Sequence, residues 1–377
     1  MSAVPDRLTV LQVLPSLQAG GVERGTVEMV QAVARAGGDP LVASAGGRLV
    51  VAVQRAGGRH VTLPLAAKNP VAILRNAARL TRLIAAERPA IVHARSRAPA
   101  WSAFLACRRT GTPFVTTYHG AYAEDLPGKR RYNAVMAKGD RVIAISEYIA
   151  ELVQARHGVG PDRLRVIPRG VDADLFNPDR VAHPRFHALA QAWRLPDGAP
   201  VILLPARLTR WKGQTVLLDA LRLLQRRDAI AVLVGGGKPA FARELAVRAE
   251  RLGVASRLRL AGHVDDMPAA LMLADVVVHA SIDPEPFGRA VIEAQAMCRP
   301  VIAADAGGAV ETVRHGETGW RIAPDDPRAL AAALDVALGL SAEARAALGA
   351  RARAAVQAKF STAAMQDATL AVYNELL

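Results

Sequence analysis

Short apolar runs alternate with stretches of helical period along most of the chain. "LTVLQVLP" reads as a buried strand. It stops at "QAGG", and "VERGTVEMVQAVARAGG" follows with helical spacing and a Gly-Gly stop. "PLVASA", "AIVHA", "PFVTTYH", "DRVIAIS" and "RLRVIP" are further strands, most of them separated by helical segments. The alternation pauses at "RGVDADLFNPDRVAHPRF", residues 169–186, which is rich in Asp and Pro and without period, as a linker is. It restarts with "PVILLPA", "AIAVLVGGG", "RLRLAG", "DVVVHAS", "PVIAAD" and "GWRIA", and "STAAMQDATLAVYNELL" closes the chain as a helix. Continuous apolar strands separated by helices predict parallel sheets covered on both faces. The expected fold is therefore α/β: two doubly wound domains facing across a cleft, with ligand-binding residues just after strands.

Composition narrows the picture. A chain of 377 residues, 51% hydrophobic and 22% charged, can bury a core in each half. The 48 Lys and Arg against 34 Asp and Glu give a formal charge of +14. That excess draws a protein toward an acidic saccharide, a lipid surface or nucleic acid; scattered arginines on solvated faces give the same number. Two cysteines, Cys107 and Cys298, each within a helical stretch, offer neither a disulfide framework nor a metal spacing. The N-terminal stretch lacks the pattern of a signal peptide, and no apolar run approaches the length of a membrane span. A cytoplasmic protein that touches a membrane surface is expected.

Chemistry concentrates at strand ends. Gly20 and Gly21 stand between the first strand and its helix, where bare backbone can approach a ligand, although a plain tight turn uses the same residues. The surrounding "GGVERG" is not a dinucleotide fingerprint. His119 ends "PFVTTYHG", where a substrate hydroxyl or a structural partner could hold it. In "PARLTRWKGQTVLLDAL", Arg207 follows a strand and Lys212 precedes a helix, a place that already favours anions and now carries two cations. In "DPEPFGRAVIEAQAMCRPVIA", Glu285 sits between two prolines, Phe287 and Gly288 open a helix, and Glu293 lies on it. Each carboxylate could accept hydrogen bonds from a sugar diol, and the helix start between them could hold phosphate. Asp172 and Asp174 in "DAD" look like a metal-binding pair but lie in the linker, where turn chemistry explains them better.

With these motifs in view, the chain resembles the retaining GT-B glycosyltransferases of family 4, over nearly its whole length. The likeness rests on "GGVER", "VIPRGVDADLF", "PARLTRWKG", "VGGG", "AGHVDDMPAAL", "ADVVVHAS" and "EPFGRAVIEAQAMCRPVIA". The last matches the family's two glutamates separated by seven residues. Arg169 departs from the pattern, which usually has Asn there. The resemblance implies two Rossmann-like domains. The N-terminal, acceptor-side domain would span 1–175 and regain a terminal helix at about 360–377. The nucleotide-sugar domain would span 176–359.

By the same resemblance, Gly20 and Gly21 would line the donor sugar-phosphate and His119 would contact the sugar. Arg207 and Lys212 would hold the diphosphate, Glu285 a sugar hydroxyl beside the Phe287 and Gly288 amides, and Glu293 the ribose. Gly262, His263 and Val264 would lie by the base. A hexose would pass from GDP-mannose or a UDP-hexose to a saccharide or glycolipid without metal or other cofactor. The segments "HARSRAPAWSAFLACRRTGTPFVTTYHGAY" and "KRRYNAVMAKGDRVIAIS" resemble transferases of the lipopolysaccharide core. Arg95, Arg97, Tyr122, Lys129, Arg130 and Arg131 would then meet an acidic acceptor. A nucleotide-sugar 2-epimerase of the same fold and a non-catalytic binder of anionic polysaccharide are the alternatives. No helix-turn-helix or aromatic stacking pattern favours nucleic acid.

Overall fold

Each of the two sheets reverses its strand order in the middle. The computed structural model describes residues 8–18 and 20–377. Residues 1–7, part of the stretch read for a signal peptide, and Ala19 lie outside the described residues. In the first sheet β1 (Thr9–Val13), β2 (Asp39–Ser44), β3 (Arg59–Thr62), β4 (Ile91–Ala94), β5 (Phe114–Tyr118), β6 (Arg141–Ala144) and β7 (Leu164–Val166) run in the order β3-β2-β1-β4-β5-β6-β7. In the second, β8 (Val201–Pro205), β9 (Ile230–Val234), β10 (Leu258–Gly262), β11 (Val276–His279), β12 (Val301–Ala304) and β13 (Trp320–Ile322) run in the order β10-β9-β8-β11-β12-β13. All neighbours are parallel. This is the doubly wound α/β architecture that the apolar runs predict.

Every strand read from an apolar run is present. The exception to the pattern is β3, which the runs do not announce. Its sequence, Arg-His-Val-Thr, is half exposed at the sheet edge, and an edge strand needs no continuous apolar run. Helix starts follow local capping: Ser146 accepts from the Ile149 amide, and Asp326 from those of Arg328 and Ala329. Cys107 is buried in the helix Arg97–Thr110. Cys298 is not helical. It stands beyond the helix Arg289–Ala296 with φ 55°, in the turn that stops it.

The chain forms two compact units, one running through Pro168 and regaining Ala363–Leu377, the other Arg169–Thr362. The breaks therefore fall at 168/169 and 362/363, whereas the resemblance implied 175/176 and 359/360. The Asp- and Pro-rich stretch at 169–186 is not a free linker. Val171 pairs with Ser361, and Val171, Phe176 and Val181 are buried. Burying these apolar side chains fixes the stretch to the second unit.

The terminal helix Thr362–Asn374 packs on the first sheet. Met365, Val372 and Tyr373 share an apolar cluster with Val10, Met29, Ile91, Val115 and Ile143. His93 joins the two through hydrogen bonds to the Tyr373 hydroxyl and the Thr117 hydroxyl, both 2.7 Å.

Candidate active site

Strand order reverses in the second unit between β8 and β11, which are hydrogen-bonded neighbours. Chains leaving the two strands diverge to opposite sides, and the crevice at their carboxyl ends is where open α/β sheets bind ligands. Arg207 and Lys212 follow β8, and Glu285 follows β11.

The two loops meet closely. Residues Arg210–Lys212 form one 3-10 turn, ended by Gly213 at φ 70°. A Cβ on Gly213 would stand 1.8 Å from the Ala280 carbonyl oxygen, so only glycine lets this turn lie on the end of β11. The Ile282 amide donates to the Trp211 carbonyl at 2.8 Å and ties the loops together. From the other side Gly307 pairs with Glu285; a Cβ there would meet the Glu285 carbonyl oxygen at 2.4 Å.

This backbone brings Lys212 and Glu285, distant in sequence, into a mostly buried ion pair. The Glu285 Oε2 atom accepts from Lys212 Nζ, from Ser281 Oγ at 3.0 Å and from His279 Nε2 at 3.2 Å. Burial pushes the Glu285 carboxyl up, but His279 and Lys212 outweigh it and hold the group at about 2. Lys212 also lies 4.1 Å from the centre of the Trp211 ring. An ammonium has three donors, so those not given to Glu285 remain for an anion. The exposed guanidinium of Arg207 makes no hydrogen bond or ion pair with the described residues. It borders a cavity of about 550 Å³ lined by Leu208, Thr209, Gly237 and Phe241, and neither Lys212 nor Glu285 lines that space.

The other candidates of this unit are distributed around the pair. Gly288 caps the helix Arg289–Ala296 at φ 85°, while the Phe287 ring is buried edge-on against Phe360, leaving its backbone rather than its ring for a ligand. Glu293 pairs with Arg289 on that helix at 3.2 Å. Gly262 ends β10, His263 is exposed and 3.1 Å from Asp265, and Val264 is half-buried. Asp172 accepts from the amides of Asp174 and Leu175, as a turn aspartate does. Among the described residues no group of three or more His, Cys, Asp or Glu could hold a metal ion.

In the first unit Gly20 caps the helix Gly21–Arg35, and His119 follows β5. The basic candidates do not form one exposed cationic surface. Arg95 is only 3% exposed, which corrects its place among residues facing an acceptor: it follows β4 into the core, and burial lowers its pKa. Arg97 donates to Asn133 and lies 3.9 Å over the Tyr122 ring, which packs on Tyr118 at 4.6 Å. Lys129 pairs with Asp125, and Arg130 donates to the Arg156 carbonyl. Arg131 is exposed, with no hydrogen bond or ion pair to the described residues.

His279, Ser281, Gly213 and Gly307 complete the site beyond the residues the sequence singled out. A signal for the first two exists: Val276, Val278 and Ala280 face the core cluster, so His279 and Ser281 share the other face.

Two doubly wound units, with cations and a carboxylate converging at a strand-order switch, define a class of nucleotide-ligand proteins. Family models match both units: Glycosyltransferase Family 4 over residues 19–175 and Glycosyl transferases group 1 over 186–355. A glycosyltransferase of known crystal structure from Rickettsia africae is 35% identical, with a TM-score of 0.90 over 98% of this chain and 99% of that one. The chain belongs to this family of two-domain GT-B glycosyltransferases. It is 32% identical over 277 residues to the D-inositol 3-phosphate glycosyltransferase of Jonesia denitrificans, covering 66% of this chain and 63% of that protein. It is 36% identical over 189 residues to a GDP-mannose-dependent α-(1-6)-phosphatidylinositol monomannoside mannosyltransferase of Mycobacterium tuberculosis, covering 48% of each. The chain thus matches less than two thirds of the length of either curated relative.

Proposed function

We propose that the protein transfers a hexose, with retention, from a nucleotide-diphosphate sugar to an acidic saccharide or glycolipid acceptor of the cell envelope. The observation that carries this reading is the convergence of Lys212 and Glu285 at the β8/β11 switch, with Arg207 on the same loop as Lys212. As the sugar–phosphate bond breaks, positive charge develops on the sugar and negative charge on the leaving diphosphate. Lys212 and Arg207 meet the phosphate charge, and the helix start after Gly288 adds its amides. Glu285, kept ionised, accepts a hydrogen bond from a donor-sugar hydroxyl, and Glu293 one from the ribose. Gly262, His263 and Val264 lie by the base, and the family pattern gives Gly20, Gly21 and His119 to the sugar-phosphate. The acceptor attacks on the face the diphosphate leaves, and the leaving phosphate takes its proton. Side-chain cations do the work a metal does elsewhere, so no cofactor enters the scheme.

An acidic acceptor is favoured by the net charge of +14, and the two curated relatives are named for D-inositol 3-phosphate and phosphatidylinositol monomannoside. The likeness to lipopolysaccharide-core transferases names another acidic glycolipid. Arg131 and Arg130 are the exposed cations of that set. Peripheral contact with the cytoplasmic leaflet has separate support. Residues 40–86 contain seven Lys and Arg and no Asp or Glu. Within them, the helix Pro70–Glu87 exposes Val71 and Leu74 beside Arg75. Apolar and cationic side chains side by side suit an anionic lipid surface. Among the described residues no helix is long and apolar enough to cross a membrane.

The test is a panel of GDP- and UDP-sugars with acidic and neutral acceptors, followed by nucleoside diphosphate release and product analysis. Transfer with retained anomeric configuration is expected. Epimerised donor, inverted product or binding without turnover overturns the reading.

A further inference from the structure

We propose that His279 is a positioning residue that, with Ser281, locks the Glu285 carboxylate so that a single oxygen faces the substrate. Three donors converge on Oε2: Lys212 Nζ, Ser281 Oγ and His279 Nε2. Among the described residues no hydrogen bond reaches Oε1. A carboxylate with both oxygens free can grip a diol from both; one with Oε2 fully engaged offers only its other oxygen. Glu285 therefore meets the substrate through Oε1 alone.

The strand builds this lock. His279 is the last residue of β11 and is paired in register with Ala303 of β12, so its backbone is held by a central sheet. Alternation turns Val276, Val278 and Ala280 into the core and leaves His279 and Ser281 together on the opposite face. The imidazole is buried and its Nδ1 has no hydrogen-bond partner among the described residues. Protonating Nδ1 there would bury a donor without an acceptor, so the proton belongs on Nε2, the atom that reaches Glu285. A rigid ring on a rigid strand fixes the carboxylate with little freedom left to lose when substrate binds.

The geometry is a property of the protein itself; its kinetic consequence rests on the transferase reading. The experiment has two arms. In the first, ¹⁵N-histidine spectra of the intact protein at pH 7.5 are assigned by difference with His279→Gln. A proton on Nε2 is expected. A bare Nε2, with the proton on Nδ1 alone, overturns the proposal whatever the enzyme does. In the second, turnover is compared for wild type, His279→Gln, His279→Leu and Ser281→Ala. Gln places an amide donor near the former Nε2 and should stay within about threefold of wild type. Leu has the bulk without the donor and should lower kcat at least tenfold, with a smaller change in donor KM. Ser281→Ala should lower kcat severalfold. Equal losses in the Gln and Leu variants point to bulk alone, and wild-type kcat in Leu shows no role; either sinks the idea. If wild type turns over no donor, the transferase reading fails, and the spectra alone decide the placement of His279.

Discussion

Cations in the two units are used in opposite ways. After β8, Lys212 is brought to a carboxylate from a separate strand, and Arg207 is left exposed without a side-chain partner among the described residues. In the first unit, Arg95 is in the core, Arg97 is held by Asn133 and the Tyr122 ring, and Arg130 is bound to a main-chain carbonyl. Arg95 in the core and Arg97 against the Tyr122 ring are drawn into their own unit, whereas exposed Arg130 can still attract an anion at long range and Lys212, beside the Glu285 carboxylate, has donors to spare. Counting basic residues therefore overstates the first unit and says nothing about the organisation of the second.

The sharpest way to break this contrast is to remove Lys212. If it stabilises charge on the departing phosphate, Lys212→Ala should lower kcat about 100-fold or more, in the range typical of a preorganised charge-stabilising donor. Arg207→Ala should do the same. Steady-state kinetics on folded variants checks both, and near wild-type turnover in Lys212→Ala would remove Lys212 from the mechanism.

The pH behaviour of Glu285 follows next. Its folded pKa, about 2, lies below the ordinary 4.5. A carboxyl with a depressed folded pKa stabilises the fold fully above its unfolded value and loses that contribution as pH falls through the folded one. The contribution of Glu285 should therefore be intact at pH 5 and above and decline between about 4.5 and 2. Denaturant unfolding over that window should be less pH-dependent in Glu285→Gln than in wild type. Between pH 5 and 8 no ionisation of Glu285 should mark the activity profile.

In the first unit, buried and exposed arginines should part company. Arg95→Glu puts an unpaired carboxylate in the core and should lower Tm by many degrees. Arg130→Glu with Arg131→Glu should leave Tm nearly unchanged and raise the KM of an acidic acceptor severalfold, with little change for the donor. Rising salt should weaken acceptor binding in wild type and less so in the reversed variant, since screening acts over roughly 10 Å at 0.1 M. If neutral acceptors serve equally well and neither salt nor charge reversal moves that KM, electrostatic steering is absent.

The smallest effect concerns metal. With side-chain cations on the phosphates, EDTA should leave kcat unchanged. Loss of activity on chelation with recovery on Mn²⁺ or Mg²⁺ would bring Asp172 and Asp174 back into consideration.

The strands were legible because both faces of a central parallel strand are buried, which forces runs such as "VILLP" and "IAVLV" to be apolar throughout. β3 was not, because half of an edge strand faces water. Glu285, Lys212 and Arg207 stood out because they interrupt structure signals at strand ends. His279 did not, because one polar residue at the end of "VVVH" resembles any strand terminus until its partner is known.

By itself, then, the order of apolar runs determined a doubly wound α/β chain in two parts, and the charges after strands marked the candidate ligand residues. Only tertiary structure decided which charges meet. Lys212 and Glu285 are 73 positions apart, joined because β8 and β11 are sheet neighbours and Gly213 lets one loop lie on the other. The same folding carried Arg95 into the core and left Arg131 in solvent. Local sequence specifies period and turn, but burial and pairing depend on which strands the sheet places side by side.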